Sequence, residues 1–154
     1  MWRFLVPVAL ACAWPMTAHA ESFSFQSRSD VVNRVVAPVQ GSKTIVAQFL
    51  TGEITAVYPN RRVLSKSACA TWPAPPGGMF TTSGACVATD ADASQYTVVV
   101  ACRTVDDKPS VNDCFGQLTG IAGVYQSKTG TVSWRSTLSK DAKISTAVGT
   151  GMWN

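Results

Sequence analysis

The sequence predicts an all-β protein, an antiparallel closed β-barrel of about eight strands, with a sandwich as the alternative. Three observations carry this expectation. From residue 43 onward, short runs of β-branched and aromatic residues alternate with turn residues, and no long segment repeats at helical period. The links between those runs have hairpin length, and a closed barrel leaves no open sheet edge to aggregate. Finally, an even set of cysteines, Cys69, Cys86, Cys102 and Cys114, follows an amino-terminal stretch built like an export leader.

That leader covers residues 1–20 and has the three parts of a secretory signal peptide. Arg3 supplies the charged start, Phe4 to Trp14 the apolar run, and Ala18-His19-Ala20 the small-residue site, so cleavage after Ala20 is expected. A lipoprotein is the alternative, with a lipid on Cys12 after Ala9-Leu10-Ala11, although Ala9 suits that pattern poorly. The expected location is periplasmic or extracellular. The apolar run is too short to cross a bilayer as a helix, and no later stretch is longer. What remains is 134 of the 154 residues, a single domain over 21–154.

Composition then excludes several classes. Without Arg3 the domain has 12 basic and 9 acidic side chains, too even a balance for a nucleic-acid surface. Arg61, Arg62 and Lys66 form the one basic cluster and read as a solvated strand or turn face. The single histidine, His19, lies in the leader. Ser-His-Asp and Cys-His schemes and His-containing zinc sites are therefore excluded, and no cofactor is expected.

Taken in order, the elements begin irregularly. "SDVVNRVVAPV" reads as a short helical turn limited by Pro38, or as part of an N-terminal arm over 21–42 with an edge strand. "KTIVAQFL" and "EITAVYP" flank Thr51-Gly52, which predicts a hairpin, and "RRVLSKSAC" is the third strand. "GACVATD" and "QYTVVVACR" form another hairpin, turning between Asp90 and Ser94. In the second of these, Tyr96, Val98, Val100 and Cys102 alternate with Thr97, Val99, Ala101 and Arg103, so the first set is the core face. "CFGQLTG", "GTVSWRSTL" and "KISTAVGTGMW" complete the count.

The cysteines are placed to staple this array. Between Cys69 and Cys86 lies a Pro- and Gly-rich stretch, and between Cys102 and Cys114 a polar one, each read as a long loop closed at its base. Pairing Cys69 with Cys86 and Cys102 with Cys114 is expected, each bridge removing about 3 kcal/mol of loop entropy from the unfolded chain. Cys86 with Cys102, leaving Cys69 with Cys114, is the rival connectivity. The intervals are too wide for zinc knuckles, so no metal is expected.

"AGVYQSKTG" lacks both glycines of a phosphate-binding loop, because Ala122 and Ser127 stand at their positions. "GIAGVYQSKTG" instead reads as a turn-rich crossing with Tyr125 over the barrel end. Gly120, Gly123, Tyr125, Gly130 and Trp134, with Gly149-Thr150-Gly151 near the end of the chain, resemble the hairpin of small exported calycin-like barrels of the allene oxide cyclase and dirigent type. Gly130-Thr131-Val132 departs from their Gly-x-Gly, and none of their catalytic residues maps here. The resemblance implies a calycin-like eight-stranded fold and carries no activity with it.

Candidate sites are few. "DADAS" opens like a calcium loop, but Gln95 and Ala101 stand where the glycine and bidentate glutamate belong, so a turn is expected. Asp106, Asp107 and Asp113 lie on one stretch and do not face one another across a substrate. "TWPAPPGGMF" is more informative, since Trp72, Met79 and Phe80 are large apolar groups on a proline-stiffened loop. They form a lid or partner surface there, or else plug the barrel end. Tyr58, Tyr125 and Arg135 complete a pocket with them if their strands reach the same mouth. The expected function is an exported, non-enzymatic barrel that binds a small apolar or amphipathic ligand or an envelope component. One alternative is a secreted protein-binding or inhibitor module acting through loop 70–85 on a protein partner. A further alternative is a cyclase-like barrel enzyme.

Overall fold

The computed structural model describes residues 20–39, 41–107 and 110–154. Both leader readings, with Cys12 and His19, fall outside them. Eight strands run β1 (Glu21–Val39), β2 (Ser42–Val57), β3 (Arg62–Pro73), β4 (Thr82–Asp90), β5 (Gln95–Asp107), β6 (Ser110–Ala122), β7 (Thr129–Leu138) and β8 (Ile144–Trp153). A short 3-10 turn, Gly123–Tyr125, precedes β7. Each strand pairs antiparallel with the next, and β8 returns to β1, closing the barrel.

Side-chain alternation explains the closure. In β5, Tyr96, Val98, Val100 and Cys102 are buried while Val99 is 64% exposed, so one face fills the interior and the other meets solvent. In β3, Ser65 and Ser67 face inward between exposed Leu64 and Lys66.

The amino-terminal half corrects three expectations. Residues 21–39 are neither a helical turn nor an arm. Residues 21–30 are a stave of the barrel, laddered to β2 on one side and β8 on the other, and 31–39 continue the same strand paired with β2 alone. The run Val31, Val32, Val35 and Val36 is β-branched, and two register irregularities carry it past the spacing that resembles a helix. Thr51-Gly52 is no turn, because β2 passes straight through it. A Cβ at Gly52 would strike the backbone of Arg28 and Ser29, so this glycine permits close strand approach instead. The eight-strand count survives because β1 replaces the strand lost when β2 became continuous.

Both expected disulfides are present, Cys69–Cys86 and Cys102–Cys114. They do not close long loops. Each joins residues directly opposite on neighbouring strands, β3 to β4 and β5 to β6, with strand on both sides of the intervening link.

An up-and-down order sends alternate hairpins to opposite ends. At one end, here called the floor, lie both described chain ends and the β2–β3, β4–β5 and β6–β7 links. At the other, the mouth, lie the β1–β2, β3–β4, β5–β6 and β7–β8 links. The two ends are closed very differently.

Candidate functional site

The floor is sealed by aromatic rings. Tyr125 stacks on Trp153 at 4.9 Å and meets Tyr96 edge-on at 5.0 Å, while Phe23 lies 5.1 Å from Tyr58. The Trp153 indole N–H donates to the Tyr58 hydroxyl at 3.2 Å, giving that buried polar tip a partner. Tyr125 reaches this position because the chain doubles back after β6. A Cβ at Gly120 would overlap the Tyr125 carbonyl, so only glycine fits there.

Behind the rings sits a buried carboxylate. Asp90 accepts from the Ser65 hydroxyl at 2.5 Å and from the Tyr125 hydroxyl at 2.7 Å. Burial, and then donation to Asp90, push the Tyr125 phenol well above its ordinary range. Burial likewise pushes Tyr96 up to about 12. Asp92 makes the turn expected of "DADAS", its Oδ1 accepting from the Ser94 N–H at 2.9 Å. That backbone bond holds the Asp92 carboxyl below its ordinary range. Asp90 therefore anchors the floor, and no metal-binding cluster occurs among the described residues.

Above the floor the barrel is hollow. A cavity of about 400 Å³ runs up to the mouth, within the range of small-molecule sites. Its wall is apolar, with Phe25, Leu50, Ile54, Val98, Val132 and Trp134, and both disulfides face into it. Near the mouth the lining changes. Ser29, Gln48, Thr71, Thr82, Thr104, Asn112, Ser136 and Ser145 contribute one uncharged polar side chain from each of the eight strands. Among the described residues, no Asp, Glu, Lys or Arg lines the cavity. By contrast, the outer pleats near Val57, Val99, Phe115 and Met152 border a larger space that is open to solvent.

The six site residues expected from sequence are dispersed. Trp72 lines the cavity at its mouth. Exposed Met79 and half-buried Phe80 occupy the adjoining β3–β4 link, which is pinned by the Thr81 N–H donating to the Cys102 carbonyl at 2.8 Å. Tyr58 and Tyr125 are at the floor, the opposite end of the barrel. Arg135 faces outward, its Nε–H donating to Asp113 Oδ1 at 2.9 Å. Asp113 also pairs with Arg103 at 3.3 Å, and these guanidinium bonds, Arg135 first, hold its carboxyl below the ordinary range. A single pocket at the mouth containing all six is therefore not formed.

Sequence reasoning missed the polar ring, because each of its members reads locally as an ordinary residue near a strand end. It also missed Asp90, read only as part of a turn, and Arg34. Arg34 is half-buried beside the mouth, its Nε–H donating to Gln48 Oε1 at 2.9 Å and an Nη2–H to the Ala142 carbonyl.

Chemically, the cavity offers enclosure and little reactivity. Among the described residues, Tyr96 at its base is the one titratable group in the lining, since all four cysteines are bridged. With a pKa of about 12 it is a neutral phenol at neutral pH, and no second acid or base faces it from the wall. Comparison with protein-family models, curated proteins and solved structures yields no match for this chain.

Proposed function

We propose that this is an exported, non-enzymatic binding barrel that holds a small apolar or amphipathic molecule in its lumen. One observation carries the reading: the barrel is sealed at the floor by Tyr58, Tyr96, Tyr125 and Trp153, yet hollow above them over about 400 Å³ with apolar walls. A barrel built only as a scaffold for loops would fill that space, because an empty apolar cavity forgoes packing. The disulfides support export, since such bridges persist in oxidising compartments.

The test is titration of the oxidised protein with phenylnaphthylamine, a neutral apolar fluorophore, followed by its own emission and by quenching of tryptophan. Saturable one-to-one binding is expected. Ala147→Phe, which fills the lumen from a buried position, abolishes it, whereas Val148→Phe on the exposed outer face leaves it intact. Saturable binding unaffected by Ala147→Phe would place the site elsewhere.

A second reading has its own support. Trp72 and Met79 on the mouth loop are 43% and 72% exposed, which suits a protein contact. Under that reading a Trp72→Ala, Met79→Ser variant loses its protein partner while probe binding in the lumen persists.

A further inference from the structure

We infer that the bound molecule is an anionic amphiphile, with an apolar body in the lumen and a carboxylate head held at the mouth by Arg34. This rests on the lumen-binding reading above and adds the charge and polarity of the ligand.

The lumen itself argues for a neutral body. Among the described residues its wall holds no charged side chain, so a charge carried deep into it would lose its hydration without a partner. The polar ring near the mouth is uncharged as well. Any charge on the ligand therefore belongs at the rim, where the amphiphile meets water.

At that rim stands the Arg34 guanidinium, which differs from Arg61, Arg103 and Arg135 in its bonding. Arg61 pairs with Glu21, and Arg103 and Arg135 share Asp113. Arg34 forms no ion pair among the described residues. Its two hydrogen-bond partners, the Gln48 side-chain oxygen and the Ala142 carbonyl, are both neutral. These bonds fix its position, because Gln48 lines the cavity and Ala142 lies in the β7–β8 link that bounds the mouth. They use two of the five N–H donors of a guanidinium, leaving three whose planar fork matches a carboxylate.

Placement on the chain strengthens this. β8 pairs with β1 only as far as Asp30–Ile144, and β3 pairs with β2 only from Gln48–Thr71 inward. Residues beyond those pairs form a two-stranded ribbon that continues past the rim, and Arg34 lies on it directly opposite Gln48. Half-buried placement excludes part of the solvent from the guanidinium, so pairing there is stronger than at a fully exposed arginine. Lys43 on β2 and Lys140 and Lys143 in the β7–β8 link stand at the same end but are exposed, so the half-buried Arg34 is the better placed to meet an anionic head.

The experiment compares decanoate with decanol, two probes with the same number of carbons and different heads, by calorimetry on the oxidised full chain at neutral pH and low salt. Wild type is expected to bind decanoate at least about tenfold more tightly, a difference of about 1.4 kcal/mol. Arg34→Gln brings decanoate to within about twofold of decanol and leaves decanol unchanged, while Arg34→Lys keeps part of the preference. Should Arg34→Gln disturb the rim so that decanol is also lost, wild type still decides. Raising the salt concentration weakens decanoate and not decanol if the head is ion-paired. Equal binding of both probes to wild type overturns the assignment of Arg34 and spares the lumen reading. Binding of neither overturns both.

Discussion

Replacing Tyr125 with Phe isolates the contact that holds the floor together. The substitution keeps the ring, and with it the stack on Trp153 at 4.9 Å and the edge contact with Tyr96 at 5.0 Å. It deletes the hydroxyl that donates to Asp90 at 2.7 Å and leaves that buried carboxylate with the Ser65 hydroxyl as its remaining side-chain donor. A hydrogen bond to a charged group contributes about 1.5–3 kcal/mol, and an acceptor left short of a donor in a buried site recovers little from water. A loss of about 2 kcal/mol is therefore expected. For a domain of this size that corresponds to a fall in Tm of roughly 8 °C. Urea denaturation of the oxidised protein reads it directly, as a lower midpoint with an unchanged slope. Adding Asp90→Asn should then cost less than the two single changes summed, because both remove the same bond. A Tyr125→Phe midpoint corresponding to less than about 0.5 kcal/mol would refute the reasoning, since ordinary surface changes already reach that size.

Further consequences follow from the same structure. Tyr96 has its pKa raised from 10.0 to about 12, chiefly by burial, so the folded state holds its proton more tightly than the unfolded chain. That contribution is fully present below about pH 10 and is lost as pH rises from about 10 to about 12, so Tyr96→Phe should remove about 3 kcal/mol from the alkaline decline in stability, leaving the part due to Tyr125. Replacing Cys102 and Cys114 together with Ala should lower stability by about 3 kcal/mol, measured by denaturation under non-reducing conditions. Gly52→Ala places a methyl group against the Arg28 and Ser29 backbone. It should cost at least about 2 kcal/mol by urea denaturation, where a true hairpin glycine with room around it would cost less.

Much of the barrel was legible because its cause is local. The alternation from Tyr96 to Cys102 is written residue by residue. The cysteine pairing was expected from loop closure, and it holds for a different reason, since each pair stands directly opposite on neighbouring strands. Tyr125 was placed over a barrel end from the glycines around it, and the structure buries it there. The errors fell where the deciding contact comes from elsewhere in the chain. Gly52 looks like a turn residue until β1 is laid against it. The Val31 to Val36 run resembles a helix until β2 supplies the ladder that its β-branched side chains prefer. The stretches between bridged cysteines looked like loops because prolines and polar residues dominate them, yet cross-strand pairing extends almost to each turn.

The site was less legible than the fold for the same reason. Eight uncharged polar residues become a ring only when eight strands close, and nothing near Ser29 or Asn112 in sequence announces it. Arg34 becomes distinctive only by comparison with Arg61, Arg103 and Arg135, whose carboxylates lie far from them in the chain or across a strand pair. Tyr58, Tyr125 and Arg135 were grouped with the mouth loop by residue type alone. Strand direction sends the tyrosines to the floor, and strand alternation turns the arginine outward.

The central claim, that the lumen is occupied by a small molecule, is tested most directly by native mass spectrometry of the oxidised protein purified from its own source without detergent. The account predicts a one-to-one adduct that is released on denaturation and does not form with Ala147→Phe. A bare polypeptide that also stays bare after incubation with decanoate would contradict it.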